Sequence, residues 1–510
     1  MASIVLATLN ARYAHAALGL RYLLANMGEL RGDTELIEFV LGARATDVVE
    51  TLLARRPRII GLGVYIWNVE ETSKIVAQLK AVAPQVIVVL GGPEVSYECE
   101  QQSIVALADY TITGWGDVSF AALCRQLVAG EPPSAKVIAG VQAELSALAL
   151  PYAEYTAEDL ARRHIYVEAS RGCPFKCEFC LSALDKTAWP FDLERLLAQL
   201  DVLYRDGARD FRFVDRTFNL KPTTSRRILE FFLERVGSGL FVHFELIPDH
   251  LPQSLRELIA KFPPGVLQLE IGIQSFDPAV QARISRRQDN DAAEANLRWL
   301  RQASHAHLHV DLIAGLPGED LTSFAAGFDR LVALAPHEIQ VGILKRLRGT
   351  PIARHTSAYG MRFNPVPPYN ILANDQIDFT TMQRLARFAR YWDLYFNSGR
   401  FSRGIQRLLA GAPFTNFLQF SDWLFSRLGK THEIAHERLF DGLGEFLVAV
   451  RELDRDEVSA AVAADFSGAG GRGRVNFLAG REYTRDAAGS VPRPAGAGRS
   501  ARQARHARVN

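Results

Sequence analysis

Three of the five cysteines fall within residues 171–180, which read Arg171-Gly172-Cys173-Pro174-Phe175-Lys176-Cys177-Glu178-Phe179-Cys180. Thiolates are soft ligands that select iron–sulfur clusters or zinc. A structural zinc site closes its shell with four ligands. Here only three are offered, because Cys99 and Cys124 lie far upstream and are not closely spaced with each other. A 4Fe–4S cluster held by Cys173, Cys177 and Cys180 keeps one iron open, and an open position is what separates a catalytic metal site from a structural one. The C-x3-C-x2-C spacing therefore points to such a cluster, with a zinc-stabilised binding module as the alternative. Clustered rather than dispersed cysteines point to a reduced, cytoplasmic setting and not to a disulfide framework.

The elements that must position this motif can be read from hydrophobic periodicity. A strand is predicted over 165–169, so the cysteines occupy the loop at its carboxyl end. Further strands are predicted over 210–214, 241–247, 267–273, 308–314 and 339–344, separated by helical patterns such as 193–204, 224–235 and 292–302. Six β/α units in residues 160–350 predict a partial (β/α)6 barrel, since a full barrel has eight units and about 250 residues. Chemistry in such barrels sits at the carboxyl ends of the strands.

Residues 1–140 alternate short apolar strands (3–8, 58–65, 85–90, 110–113) with helical stretches (18–27, 69–82, 120–128). This is the pattern of an α/β domain with an open, Rossmann-like parallel sheet covered on both faces. Residues 351–465 read as helical: Met382, Leu385, Phe388, Trp392 and Tyr395 share one helix face and form a core stripe. Pro365-Val366-Pro367-Pro368 separates them from the barrel. Residues 466–510 are rich in Arg, Gly and Ala and read as a disordered tail. The histidines at 305, 307 and 309 read as a solvent-facing strand edge.

The chain has 510 residues with a net charge of +1, 48% hydrophobic and 23% charged. A single core seldom exceeds about 250–300 residues, so two or three domains are expected. The balanced charge argues against a chain built to coat nucleic acid. The absence of a long apolar run argues against a membrane span.

The cysteine motif, with the aromatic Phe179 before its last cysteine, closely resembles the signature of the radical S-adenosylmethionine superfamily. The resemblance implies that S-adenosylmethionine chelates the open iron. One electron then splits its sulfonium, and the resulting 5′-deoxyadenosyl radical takes hydrogen from substrate. The electron would come from a flavodoxin- or ferredoxin-like donor. It also implies cofactor contacts at later strand ends. Asp215 stands where many members carry Gly-Gly-Glu, and would accept from the cofactor's ammonium or else cap the helix after Pro222. Glu245 would meet the cofactor or a barrel arginine. Gln274 and Ser275 lie in a stretch found beside the cofactor, and Gly315 in the Gly-Leu-Pro-Gly-Glu turn that approaches adenine. Arg348-Gly349-Thr350-Pro351 also matches related sequences.

An open parallel sheet ahead of such a barrel resembles the cobalamin-binding domains of one large subgroup. The shared stretches are Gly61-Leu62-Gly63-Val64-Tyr65, Gly91-Gly92-Pro93-Glu94 and Gly114-Trp115-Gly116-Asp117. Gly91, Gly92, Glu94, Gly114 and Gly116 would line the corrinoid site, with Tyr65 and Trp67 packing on the ring. The last stretch departs from the Gly-Glu-Gly-Glu common in the subgroup. The chain also has no Asp-x-His-x-x-Gly, so cobalt would have no histidine below it, or the domain has lost cobalamin. No Gly-x-Gly-x-x-Gly follows the first strand, which weakens a nucleotide-binding reading. Methylthiotransferases need three further cysteines that this chain lacks. The resemblance implies methylation of an unactivated carbon in a small-molecule or peptide substrate. The alternatives are a radical cyclase or mutase without methyl transfer, and a cobalamin-sensing binding protein. Beyond about residue 350 it extends only to an uncharacterised C-terminal domain.

Overall fold

The computed structural model describes residues 3–185, 187–237, 239–479 and 499–506. Its first sheet has six parallel strands: β1 (Ile4–Asn10), β2 (Thr34–Val40), β3 (Ile59–Gly63), β4 (Ile87–Gly91), β5 (Tyr110–Thr113) and β6 (Val137–Ala139). They lie in the order β2-β1-β3-β4-β5-β6. The β-branched runs of β1, β3 and β4 are buried because helices cover both faces, and the sheet separates two apolar cores. Two strands escape the periodicity of the sequence. β2 sits at the edge with Glu35 and Glu38 among its apolar residues, and β6 is three residues long and largely exposed.

The second sheet also has six parallel strands: β7 (Ile165–Val167), β8 (Asp210–Phe213), β9 (Phe241–Leu246), β10 (Leu267–Gln274), β11 (His307–Ala314) and β12 (Glu338–Ile343). Each pairs with its sequence neighbour, so β7 and β12 are the edge strands and the barrel is open between them. The register slips between Gly272 and Gln274 at the end of β10, a bulge against β11.

The helical region, from Phe379–Trp392 to Arg455–Gly468, shares one continuous core with the barrel. Phe328 of the helix after β11 stacks edge-on against Trp392 at 4.7 Å and Phe388 at 5.1 Å. The stripe inferred from Met382, Leu385, Phe388, Trp392 and Tyr395 is thus core, each side chain fully buried. The edge of β12 is capped by one side chain. Asn397 Nδ2 donates to Ile339 O at 2.9 Å and Asn397 Oδ1 accepts from Ile339 N at 2.9 Å, replacing a neighbouring strand.

Two expectations are corrected here. Within 466–510, the chain stays folded to residue 479: Phe477 is buried, and its N–H donates to Asp441. Arg499–His506 forms a helix beneath the barrel, where Gln503 donates to Gln268 and Arg502 pairs with Glu338 and Asp393. Composition cannot reveal these partners, and those of the last helix lie more than a hundred residues away in sequence. The remaining tail residues, 480–498 and 507–510, lie outside the described residues. Only His305 is exposed among the three histidines. His307 and His309 are 5% exposed inside the barrel, bonded to Glu338 and Asp311 respectively. Among the described residues no helix is long and apolar enough to cross a membrane.

Candidate active site

The cysteine loop leaves β7 through a ribbon of Ser170–Arg171 paired with Trp189–Pro190. Gly172 makes the turn at φ +87°, where an added Cβ would lie 2.4 Å from Thr187 O, so only glycine fits. Cys173, Cys177 and Cys180 then line a cavity of about 180 Å³ over the barrel mouth. Its other walls include Phe175 and Phe179 from the same loop, Arg216 and Thr217 after β8, Glu245 at the end of β9, the alternate residues Glu270, Gly272 and Gln274 on β10, Asp311 on β11, and Arg286. Burial pushes the Cys173 thiol up to about 11. Burial raises Cys177 as well, and the guanidinium of Arg286, 3.5 Å from its Sγ, offsets only part of that rise. Three thiols lining one cavity, with an adjacent cation, fit the anionic sulfur shell of an iron–sulfur cluster, which is larger than a single ion.

The later sequence-inferred positions divide. Phe179, Glu245 and Gln274 line the cavity. Glu245 is paired with Arg216 at 2.6 Å, the barrel-arginine alternative, and burial raises its carboxyl while Arg216 opposes. Asp215 does not face the cavity. It is 4% exposed, and its two oxygens accept from Ala169 N at 2.9 Å and Ser170 Oγ at 2.5 Å. It lines neither this cavity nor the one in the first domain and does not cap the following helix; it ties the end of β8 to the start of the cysteine loop. Ser275 is turned away too, donating to the buried Glu319. Gly315 (φ +89°) packs under Ile371 and Met382 of the following region, with an added Cβ 2.6 Å from Ile371.

A second cavity of about 380 Å³ lies at the carboxyl ends of β3, β4 and β5. Gly63, Gly91, Gly92, Gly114 and Gly116 line it, so backbone rather than side chain forms much of its wall. Gly92, at φ +111°, tolerates no side chain, since a Cβ would stand 2.5 Å from Val64 O. Tyr65 lines the cavity; Trp67 does not, and instead stacks behind Tyr65 at 4.4 Å. The lining residues include no histidine. A broad, glycine-walled slot of this kind fits a large flat ring such as a corrin. Glu94 points elsewhere: it accepts from Arg348 Nε at 2.9 Å and Tyr369 Oη at 2.7 Å, and so fastens the first domain to the segment after β12.

The cysteine loop is the wall between the two cavities. Cys173, Cys177 and Cys180 face one; Arg171, Leu181, Ser182 and Asp185 face the other. Arg171 is locked by Glu168 (2.9 Å) and Asp117 (2.8 Å) and lies under the Trp115 ring at 4.7 Å. The departure to Gly114-Trp115-Gly116-Asp117 thus supplies both the stacking ring and the carboxylate that hold this loop. Sequence reasoning missed Arg171, Arg216, Arg286, Glu270 and Asp311. Arg171 and Arg216 adjoin inferred positions. Arg286 carries no local signal and reaches Cys177 only through the fold.

Comparison with known proteins agrees with this layout. Residues 4–124 match the B12 binding domain, 167–330 the Radical SAM superfamily, and 357–484 a protein family of unknown function, DUF4080. The chain is 26% identical over 443 residues to the cobalamin-dependent radical SAM methyltransferase TokK of Streptomyces tokunonensis, covering 76% of this chain and 61% of that protein. It thus spans about three fifths of that relative's length. An uncharacterized methyltransferase of Pyrococcus horikoshii is 24% identical, covering 59% of this chain and 70% of its own. Among solved structures, the radical S-adenosylmethionine methyltransferase TsrM of Kitasatospora setae superposes with a TM-score of 0.59 at 16% identity, over 72% of this chain and 79% of its own, which shows a shared fold. The cysteine loop on its six-stranded partial barrel thus coincides with the segment that matches the Radical SAM superfamily, and the glycine-walled sheet domain ahead of it with the segment that matches the B12 binding domain, with a DUF4080 match following them.

Proposed function

We propose that this chain is a cobalamin-dependent radical S-adenosylmethionine methyltransferase acting on an unactivated carbon of a small-molecule or peptide substrate. The observation that carries the reading is the shared wall: one loop presents three thiols to the barrel cavity and its opposite face to the glycine-walled cavity. When bound, the cluster supplies one electron for sulfonium cleavage and the corrinoid serves as a methyl carrier. Cys173, Cys177 and Cys180 would hold the cluster. Phe179, Glu245 and Gln274 lie where S-adenosylmethionine would sit, and the Arg216–Glu245 pair would orient its polar groups. Tyr65, Gly91, Gly92, Gly114 and Gly116 would cradle the corrin, and no histidine stands among the described residues that line this cavity. An sp³ carbon is not a nucleophile, so it needs hydrogen abstraction before it can accept a methyl group; both cavities opening on one loop answers that need. A flavodoxin- or ferredoxin-like protein would supply the electron, in a reducing cytoplasm where the cysteines do not pair as disulfides.

The test begins with metal analysis. Anaerobically reconstituted protein is expected to hold four irons, and Cys177→Ala to lose them; one zinc per chain refutes the reading. Cell extract supplied with reductant and methyl-labelled S-adenosylmethionine should then yield 5′-deoxyadenosine, S-adenosylhomocysteine and labelled product together. Deoxyadenosine with substrate consumption but no labelled product replaces methyl transfer with cyclisation or rearrangement.

A further inference from the structure

Two local irregularities converge on one guanidinium. The first is the bulge at the end of β10, where Gln274 takes φ +69° and the register slips past Gly272. It turns the Gly272 carbonyl onto Arg286 Nη2. The second is Ser285, held at φ +55° just before Arg286. Backbone strain of this kind persists where the surroundings over-determine it, and it gathers at working sites. With Gln288 Oε1 accepting from Nε at 3.0 Å, the guanidinium plane is fixed on two sides. Its Nη1 is left 3.5 Å from the sulfur of Cys177.

Ser285 is itself clasped by the cysteine loop. Its Oγ donates to Glu178 Oε1 at 2.6 Å, and the Glu178 N–H donates to Ile284 O at 3.1 Å. Glu178 stands between two of the thiols and is 3% exposed. Its carboxylate also takes Arg354 Nε and His355 Nε2, both at 2.8 Å, and Ile352 N donates to its backbone carbonyl. The segment after β12, the segment after β10 and the cysteine loop therefore meet on one buried carboxylate.

We propose that Arg286 is a redox-tuning residue, donating a charge-assisted hydrogen bond to the Cys177 thiolate of the bound cluster, and that Glu178 is the positioning residue that holds Arg286 there through Ser285. Hydrogen bonds to cluster sulfur stabilise the more negative, reduced state and raise the potential. Arg286 thus makes the cluster easier for a protein donor to reduce. The inference rests on the proposal that the three thiols hold a 4Fe–4S cluster.

The experiment is a potentiometric titration, followed by electron paramagnetic resonance, of reconstituted full-length protein without S-adenosylmethionine. Arg286→Gln should keep four irons yet have a more negative midpoint, with the reduced-to-oxidised ratio at the wild-type midpoint lowered about tenfold, the size of one lost charge-assisted hydrogen bond. Arg286→Lys should recover part of the shift, and Glu178→Gln should move it in the same direction by less. If Arg286→Gln cannot hold its cluster, Arg286→Lys and Glu178→Gln decide by the same sign. Unchanged midpoints and spectra overturn the inference. So does a shift that arises only after S-adenosylmethionine is added, which would assign Arg286 to that cofactor. Wild-type protein that holds no four-iron cluster defeats the underlying proposal instead, so the two failures are distinguishable.

Discussion

Replacing Asp215 by Asn should erase a pH dependence of stability while leaving S-adenosylmethionine binding intact. Burial pushes the Asp215 carboxyl from an ordinary value near 3.8 up to about 7, although Ser170 Oγ and Ala169 N both donate to it. That gap corresponds to about 4 kcal/mol between the two protonation states. A carboxyl whose pKa rises on folding holds its proton more tightly in the folded chain. Folding is therefore favoured while the group stays protonated, and stability declines as pH climbs from about 4 to about 7, with no further loss above. The Asn side chain is neutral throughout and keeps one of the two accepted bonds, at a cost of about 1–2 kcal/mol. The variant should thus be less stable than wild type at pH 4.5 and equal or more stable at pH 8, the difference between them moving by about 3 kcal/mol. Urea unfolding of the barrel at several pH values, under anaerobic reduction, measures this directly. Parallel pH profiles for the two proteins would refute the burial argument. A tenfold or greater loss of S-adenosylmethionine affinity would refute the placement of Asp215 outside the cavity and restore it as a cofactor contact.

Three further outcomes follow from the same geometry. Glu245→Gln leaves Arg216 without its 2.6 Å partner in the cavity wall and should weaken S-adenosylmethionine binding about tenfold by calorimetry, with iron content unchanged; unchanged affinity would remove this pair from the cofactor site. Trp115→Ala strips the ring from Arg171 and widens the glycine-walled cavity, so hydroxocobalamin should bind about fivefold more weakly, matching about 1 kcal/mol for the lost cation–π contact. Spectral titration reads this, and tighter binding would contradict it. Glu94→Gln should lower thermal stability by about 2 kcal/mol and open the joint at Arg348 and Tyr369 to proteolysis, yet leave hydroxocobalamin affinity within about twofold. A large affinity loss would put Glu94 on the corrinoid after all.

What the sequence reveals and what it conceals divide along a physical line. Periodicity reports burial, so the strands of the barrel, the inner strands of the first sheet and the aromatic stripe of Phe379–Trp392 are visible in it. β2 and β6 are not, because an edge strand is half solvated and loses the apolar run. Cys173, Cys177 and Cys180 are legible because one short loop must wrap one cluster, and short-range geometry is written in spacing. Direction is not written there. Asp215 follows the end of β8 and Glu245 lies near the end of β9 in the same barrel, yet one turns into the loop backbone and the other into the cavity, and spacing along the chain does not tell the two directions apart. His307 and His309 alternate as a solvent-facing edge would, but a helix from the far end of the chain covers that face and Glu338 lies beneath it. Arg286 is the extreme case. Nothing in Ser285-Arg286-Arg287 marks it, and it gains a role only because the bulge at Gly272, the strained Ser285 and the carboxylate of Glu178 bring it within reach of Cys177. Ligand identity in this chain is thus encoded locally, whereas the tuning of those ligands is encoded by contacts between segments about a hundred residues apart. Variation among related chains at 178, 285 and 286 should therefore alter the behaviour of the cluster while the cysteine spacing stays the same.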